Sequence, residues 1–299
     1  MSRFDELPLA SAGKSAYLAA MPDTASPLKT PTIAAPRRYG PINGLGVWTL
    51  YKKEVGRFMK VWMQTLFAPV VTTLLFMTVF KLAFGDRGQL TGDFEGLVYN
   101  NFLAPGLIIM AVLQNSFQNT SSSLVQAKLN GTHVDFLMPP LSPLELTAAF
   151  LGGAMTRGIT VAVVAGAGIH LSGLASLNVT HVWPILWFGL TSAIVLSALG
   201  AIGGIWADKF DHLAAISNFV IVPLTFLSGT FYDIKVMVEP FYTLALFDPL
   251  FYFIDGFRYG FLGVANSDIT IGVIVSGVMS VLGIAAVWWV FKTGYKLKA

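Results

Sequence analysis

The chain contains no cysteine, which excludes disulfides and thiolate metal sites and leaves the redox compartment open. Charge is scarce: 12% of the 299 residues are Asp, Glu, Lys or Arg, against about 25% in an ordinary soluble domain. A folded surface with half the usual charge faces something other than water, and a lipid bilayer is the simplest candidate. Enzyme signatures are also missing. His133, His170, His181 and His212 are scattered with no His-x-x-x-His pair, so no zinc site is expected. No Gly-x-Ser-x-Gly elbow occurs. Gly13-Lys14-Ser15 resembles the end of a phosphate loop, but Pro8 stands where that loop needs glycine and no buried strand precedes it. This chain is therefore expected to bind no nucleotide. The excess of three positive charges does not point to nucleic acid, because the basic residues lie at membrane boundaries rather than in one patch.

What is abundant is apolar: 55% of residues, with a mean hydropathy of +0.67. A span needs about 20 apolar residues to cross roughly 30 Å of hydrocarbon. Six stretches qualify: Val61–Phe80, Leu103–Ser123, Leu144–Leu171, Trp183–Trp206, Ala214–Phe231 and Ile269–Phe291. Gly200 and Gly204 in the fourth lie one turn apart and predict close helix packing. Residues 1–42 hold six of the 15 prolines and no signal-peptide core, and are expected to form a disordered tail ahead of a membrane domain over 43–299. Leu45–Lys60 predicts an amphipathic helix in the headgroup layer, with Trp48, Tyr51, Val55, Phe58, Met59 and Trp62 opposite Lys52, Lys53, Arg57 and Lys60. Tyr232–Gly263 is too polar to cross and too apolar for a solvated loop, which predicts a pair of short re-entrant helices.

Lysine and arginine set the orientation. With both termini in the cytoplasm, the inside carries the tail and amphipathic helix, Lys128, Lys209, Lys292, Lys296 and Lys298. The outside carries only Lys81, Arg87, Lys235 and Arg258, and Arg157 falls within a span.

Two polar features stand out. After the second span, Thr132-x-x-Asp135 predicts a helix start with the threonine hydroxyl as cap, followed by an apolar face of Phe136, Leu137 and Met138 and a stop at Pro139-Pro140. Such an apolar knob either docks a partner or tucks against the membrane. Within the second span, Gln114–Gln118–Ser122 and Asn115–Asn119 form four-residue steps on adjoining faces. Amides turned to lipid are unfavourable, so they face another helix or a wet cavity. Arg157 faces the same choice between a structural partner and a substrate. No Asp or Glu sits in the centre of a span and no internal repeat is visible, which weighs against the main alternative, an ion-coupled secondary transporter. A membrane-embedded enzyme lacks a paired acid and base.

From Trp48 to Gly294 the chain resembles the membrane subunit of bacterial ABC type-2 exporters, the YadH-like group in particular. The likeness lies in KKEVGRFMKVWMQTLFAPVV, NNFLAPGLIIM, the loop around Asp135, FVIVPLTFLSGTFY and DPLFYFIDGFRYGFLG, in that order. Asp248 departs from the asparagine often found there, although both residues cap helices. The resemblance implies an all-α membrane protein with the ABC type-2 (ABCG-like) fold, seated in the bacterial inner membrane. It implies a homodimeric permease without covalent chemistry of its own, working with two copies of a separate ATPase subunit that holds ATP and Mg. Lys128, Thr132, Asp135, Phe136, Leu137 and Met138 would dock that ATPase. Gln114, Asn115, Gln118, Asn119, Phe219 and Phe226, from spans two and five, would line the path between protomers. Asp248, Pro249, Gly256 and Arg258 would form the outer gate. The cargo is expected to be a lipid, a lipid-linked glycan or a hydrophobic small molecule.

Overall fold

The computed structural model describes residues 42–84, 90 and 94–297. The expected tail through residue 41 with its Gly13-Lys14-Ser15, as well as Arg87 and Lys298, lies outside the described residues. Among those described there is helix and no strand.

The helices are α1 (Gly44–Met59), α2 (Ala68–Phe84), α3 (Tyr99–Leu129), α4 (Val134–Leu137), α5 (Pro143–Ser172), α6 (Val182–Trp206), α7 (Phe210–Ile216), α8 (Val222–Leu227), α9 (Phe241–Phe247), α10 (Pro249–Leu262) and α11 (Ile269–Thr293). Five helical runs are long and apolar enough to cross a membrane: 63–83, α5, α6, 210–227 and α11. The expected second span lies inside α3, which at 31 residues extends about 46 Å. The amides and hydroxyls of its second half keep α3 out of that group. It is nevertheless buried along most of its length, packed against α5, α6, α10 and α2. A polar helix is tolerated there because its polar side chains meet protein rather than lipid.

Two π-helical turns interrupt the expected first and fifth spans, at Met63–Phe67 and Ser217–Ile221. Each ends two residues before a proline, Pro69 and Pro223. Proline has no N–H to give, and its ring crowds the carbonyl four residues earlier. The chain widens ahead of it: the Ala68 N–H donates to the Met63 carbonyl, and the Val222 N–H to Ser217. The fifth span runs from Phe210 to Leu227 rather than Ala214 to Phe231. It stops early because Gly229 adopts φ +73°, and Arg258 takes the carbonyls of Gly229 and Thr230 at 2.7 and 3.3 Å.

Close packing at α3 and α6 explains Gly200 and Gly204. A Cβ on Gly200 would lie 2.4 Å from the Phe117 carbonyl oxygen, and one on Gly204 2.7 Å from that of Ser121. The Thr120 hydroxyl donates to the Ser197 carbonyl at 2.7 Å across the same seam. Tyr232–Gly263 does contain two short helices, α9 and α10, joined at Asp248.

The amphipathic α1 forms over nearly the expected range, but its faces sort differently. Leu50, Glu54 and Phe58 are buried, while Trp48, Met59 and Trp62 stay about half exposed, free for lipid as an interfacial helix requires. Arg57, expected on the outward basic face, turns inward.

Candidate functional site: a cationic, amide-lined groove

Arg57, Gln114, Asn115, Gln118 and Arg157 line one groove of about 930 Å³. Its walls are the end of α1, the first π turn with α2, α3 from Leu107 to Gln126, Arg157 of α5, and α7 with the start of the second π turn. Both proline-induced distortions border it, through Gln64 and Thr65 on one side and Ser217 and Asn218 on the other.

The two amide steps of α3 separate. Gln114, Gln118 and Ser122 line the groove, with Gln118 exposed. Asn119 lies behind the wall, fully buried, where its side-chain oxygen accepts from Arg57 Nη2 at 3.1 Å. Asn115 stands at the boundary: it lines the groove, gives its amide to the Ala111 carbonyl, and accepts from Arg157 Nη2 at 2.9 Å. Adjoining faces of one helix thus serve cavity and packing. Phe219 and Phe226 are not in the wall. Phe219 is exposed elsewhere, and Phe226 stacks on Phe231 at 4.7 Å.

A polar cluster absent from the sequence expectations supports the groove where α1 meets α3 and α5. Glu54 is enclosed between α1 and α5, where a Cβ on Gly153 would meet it at 2.6 Å. It accepts from Ser123 at 2.8 Å and from Arg57 at 3.3 Å, and Arg57 also donates to the Asn119 carbonyl and to Ser122. The local signal was a lone Glu among lysines in KKEVGR.

In the loop after α3, helix α4 is only four residues long and carries no side-chain cap; His133 precedes it and Thr132 contributes its carbonyl. The expected threonine hydroxyl cap does not form. Thr132, Asp135 and Met138 are exposed, Leu137 is half-buried, and Phe136 packs edge-on against Phe150 at 5.3 Å. Lys128 turns away from the loop to the carbonyls of Ile205 and Ala207, both at 2.8 Å.

On the far side, Asp248 caps α10 through the Leu250 N–H and accepts from the Ser228 hydroxyl at 2.6 Å. Pro249 follows in the first turn. Gly256 gives room to the Phe188 ring. Arg258 is buried 3.8 Å over the Phe102 ring. These four residues lie on α10 or cap it, each with partners of its own. Asp255, missed from sequence, lies on the same helix and accepts from the backbone of Asn266 and Ser267.

The ABC-2 type transporter family matches residues 46–262, which spans α1 to the end of α10. This chain belongs to that family. It is 34% identical to the inner membrane transport permease YadH of Escherichia coli K12 over 76% of its own length and 88% of that protein. It is 27% identical to nodulation protein J of Rhizobium leguminosarum bv. viciae, covering 79% of this chain and 89% of the relative. Family membership and the apolar helices make the chain a multi-pass inner-membrane protein, the membrane subunit of an ABC transporter.

Proposed function

We propose that this ABC-2 subunit is the permease of an exporter: two copies enclose the translocation path, and two copies of a separate ATPase drive it. The observation that carries the reading is the groove, whose polar lining comes from the end of α1, the two π turns, α2 and α3 in a chain that is 55% apolar. Two such grooves facing each other across a two-fold axis would form one central passage. The chain crosses six times, α3 included, with both termini cytoplasmic; α9 and α10 re-enter from outside and close the passage. The loop from Lys128 to Met138 seats in the ATPase through its exposed Asp135 and Met138, while ATP and Mg stay on that partner. The cargo is a lipid, a lipid-linked glycan or a hydrophobic small molecule.

Because the chain has no native cysteine, Asn218→Cys provides a unique label in the groove wall. With the ATPase coexpressed, a bulky maleimide at this position is expected to abolish cargo-stimulated hydrolysis while both subunits still copurify. Unchanged stimulation in the fully labelled complex would remove the groove from the path.

A further inference from the structure

We propose that Arg157 anchors an oxyanion headgroup, a phosphate or carboxylate, carried by an amphiphile whose apolar tail lies farther out along the same groove. The inference rests on the groove being the cargo path. Arg157 sits 14 residues into α5, about 21 Å from its start, a depth where a charge is strongly disfavoured unless something answers it. It is buried, yet it lines the groove. Its Nη2 is held by Asn115, and its Nε is enclosed without a partner. Among the described residues no carboxylate pairs with it: Glu54 is engaged by Arg57 and Ser123.

The surroundings make the missing partner an anion from outside the chain. Arg57 and Lys60 share the groove with Arg157, and no Asp or Glu among the described residues lines it. A two-fold partner would present the same wall, adding cations rather than a carboxylate. A planar guanidinium held by one amide and still carrying free N–H groups suits a bidentate oxyanion. Beyond it, toward the outer end of α2 and α3, the wall turns apolar at Phe76, Leu107 and Met110. Charge below and hydrocarbon above match an amphiphilic anion oriented headgroup-inward.

The test uses the unlabelled full-length permease in dodecyl maltoside micelles, with binding read by isothermal titration calorimetry. The probes are dodecyl phosphate, the neutral dodecyl glycerol ether and inorganic phosphate. Dodecyl phosphate is expected to bind at least about tenfold more tightly than either of the others, the gap set by one charge-assisted contact. Arg157→Gln should remove that advantage and leave the neutral ether unchanged, and Arg157→Lys should restore part of it. Undiminished phosphate binding in Arg157→Gln overturns the proposal. So does an equal loss for the phosphate and the ether, which would make Arg157 a brace for Asn115. If Arg157→Gln does not assemble, the wild-type protein decides, since no preference for phosphate over ether overturns the site. Inorganic phosphate binding as tightly as dodecyl phosphate overturns the amphiphile. Loss of the path reading would appear separately, as cargo-stimulated hydrolysis persisting in the maleimide-blocked complex.

Discussion

Asp208 accepts from Lys128 at 3.1 Å and so fastens the end of α3 to the turn after α6. Its other oxygen accepts from Lys296 at 3.3 Å, which ties in the chain beyond α11. One exposed carboxylate therefore joins three segments on the side where the ATPase is proposed to dock.

Those hydrogen bonds from Lys128 and Lys296 hold the Asp208 carboxyl below its ordinary range. A depressed folded-state pKa gives a contribution that is complete above the unfolded value of about 3.9 and disappears as pH falls through the folded value. Asp208→Asn should thus lower Tm at pH 7, and the gap to wild type should close below about pH 4. Thermal scans of both proteins from pH 3 to 7 test this. A gap that persists undiminished at pH 3 would mean that the carboxylate charge is not its source.

Phe136 and Met138 should respond differently to substitution. Phe136 is buried on Phe150 whereas Met138 is 77% exposed. Phe136→Ala should cost about 3–5 kcal/mol of packing and reduce membrane abundance. Met138→Asp and Asp135→Lys should leave abundance intact and reduce the ATPase recovered with the permease, because a wrong charge at a docking surface opposes association. Normal copurification in both exposed-site variants would point to another coupling element.

At the seam of α3 and α6, Gly200→Ala forces a methyl against the Phe117 carbonyl. A loss of about 1–3 kcal/mol is expected from overpacking, read as a lower Tm. Gly56→Ala in α1, where a Cβ would meet nothing within 4 Å, should stabilise by about 0.5–1 kcal/mol through helix propensity. Similar shifts in both would refute the close-approach explanation.

Glu54→Ala removes the carboxylate to which Arg57 and the Ser123 hydroxyl donate, and leaves Arg57 with Asn119 and Ser122. The expected loss is about 1–3 kcal/mol, less than for a wholly enclosed pair because Arg57 keeps partial solvent contact. Glu54→Gln should recover part of it by accepting from Ser123. Equal Tm values for all three proteins would show that the cluster adds nothing to stability.

Cysteines at Asn130 and Val238, both exposed, should react with an impermeant maleimide from opposite sides in intact cells. Reaction from one side alone at both positions would rule out the six-crossing topology, whose warrant is the lysine and arginine asymmetry.

Membrane character, the helical class, most helix boundaries and the family were legible in the residues themselves. Runs of apolar side chains must leave water wherever they are placed, and the caps and prolines that end a helix act within a turn or two of their own positions. The choice of face needed the tertiary structure. Gln118 and Asn119 are neighbours of like chemistry, yet one meets the groove and the other Arg57. Arg57 belongs by spacing to the basic side of α1, and only the polar seam of α3 draws it inward. Phe136 is an exposed knob by local pattern and a core residue once α5 brings Phe150 beside it. Partners on other helices decide these cases, 14 residues away for Phe136 and Phe150 and 62 for Arg57 and Asn119, since a hydrogen bond or ring contact depends on which helices pack together, and local periodicity does not specify that.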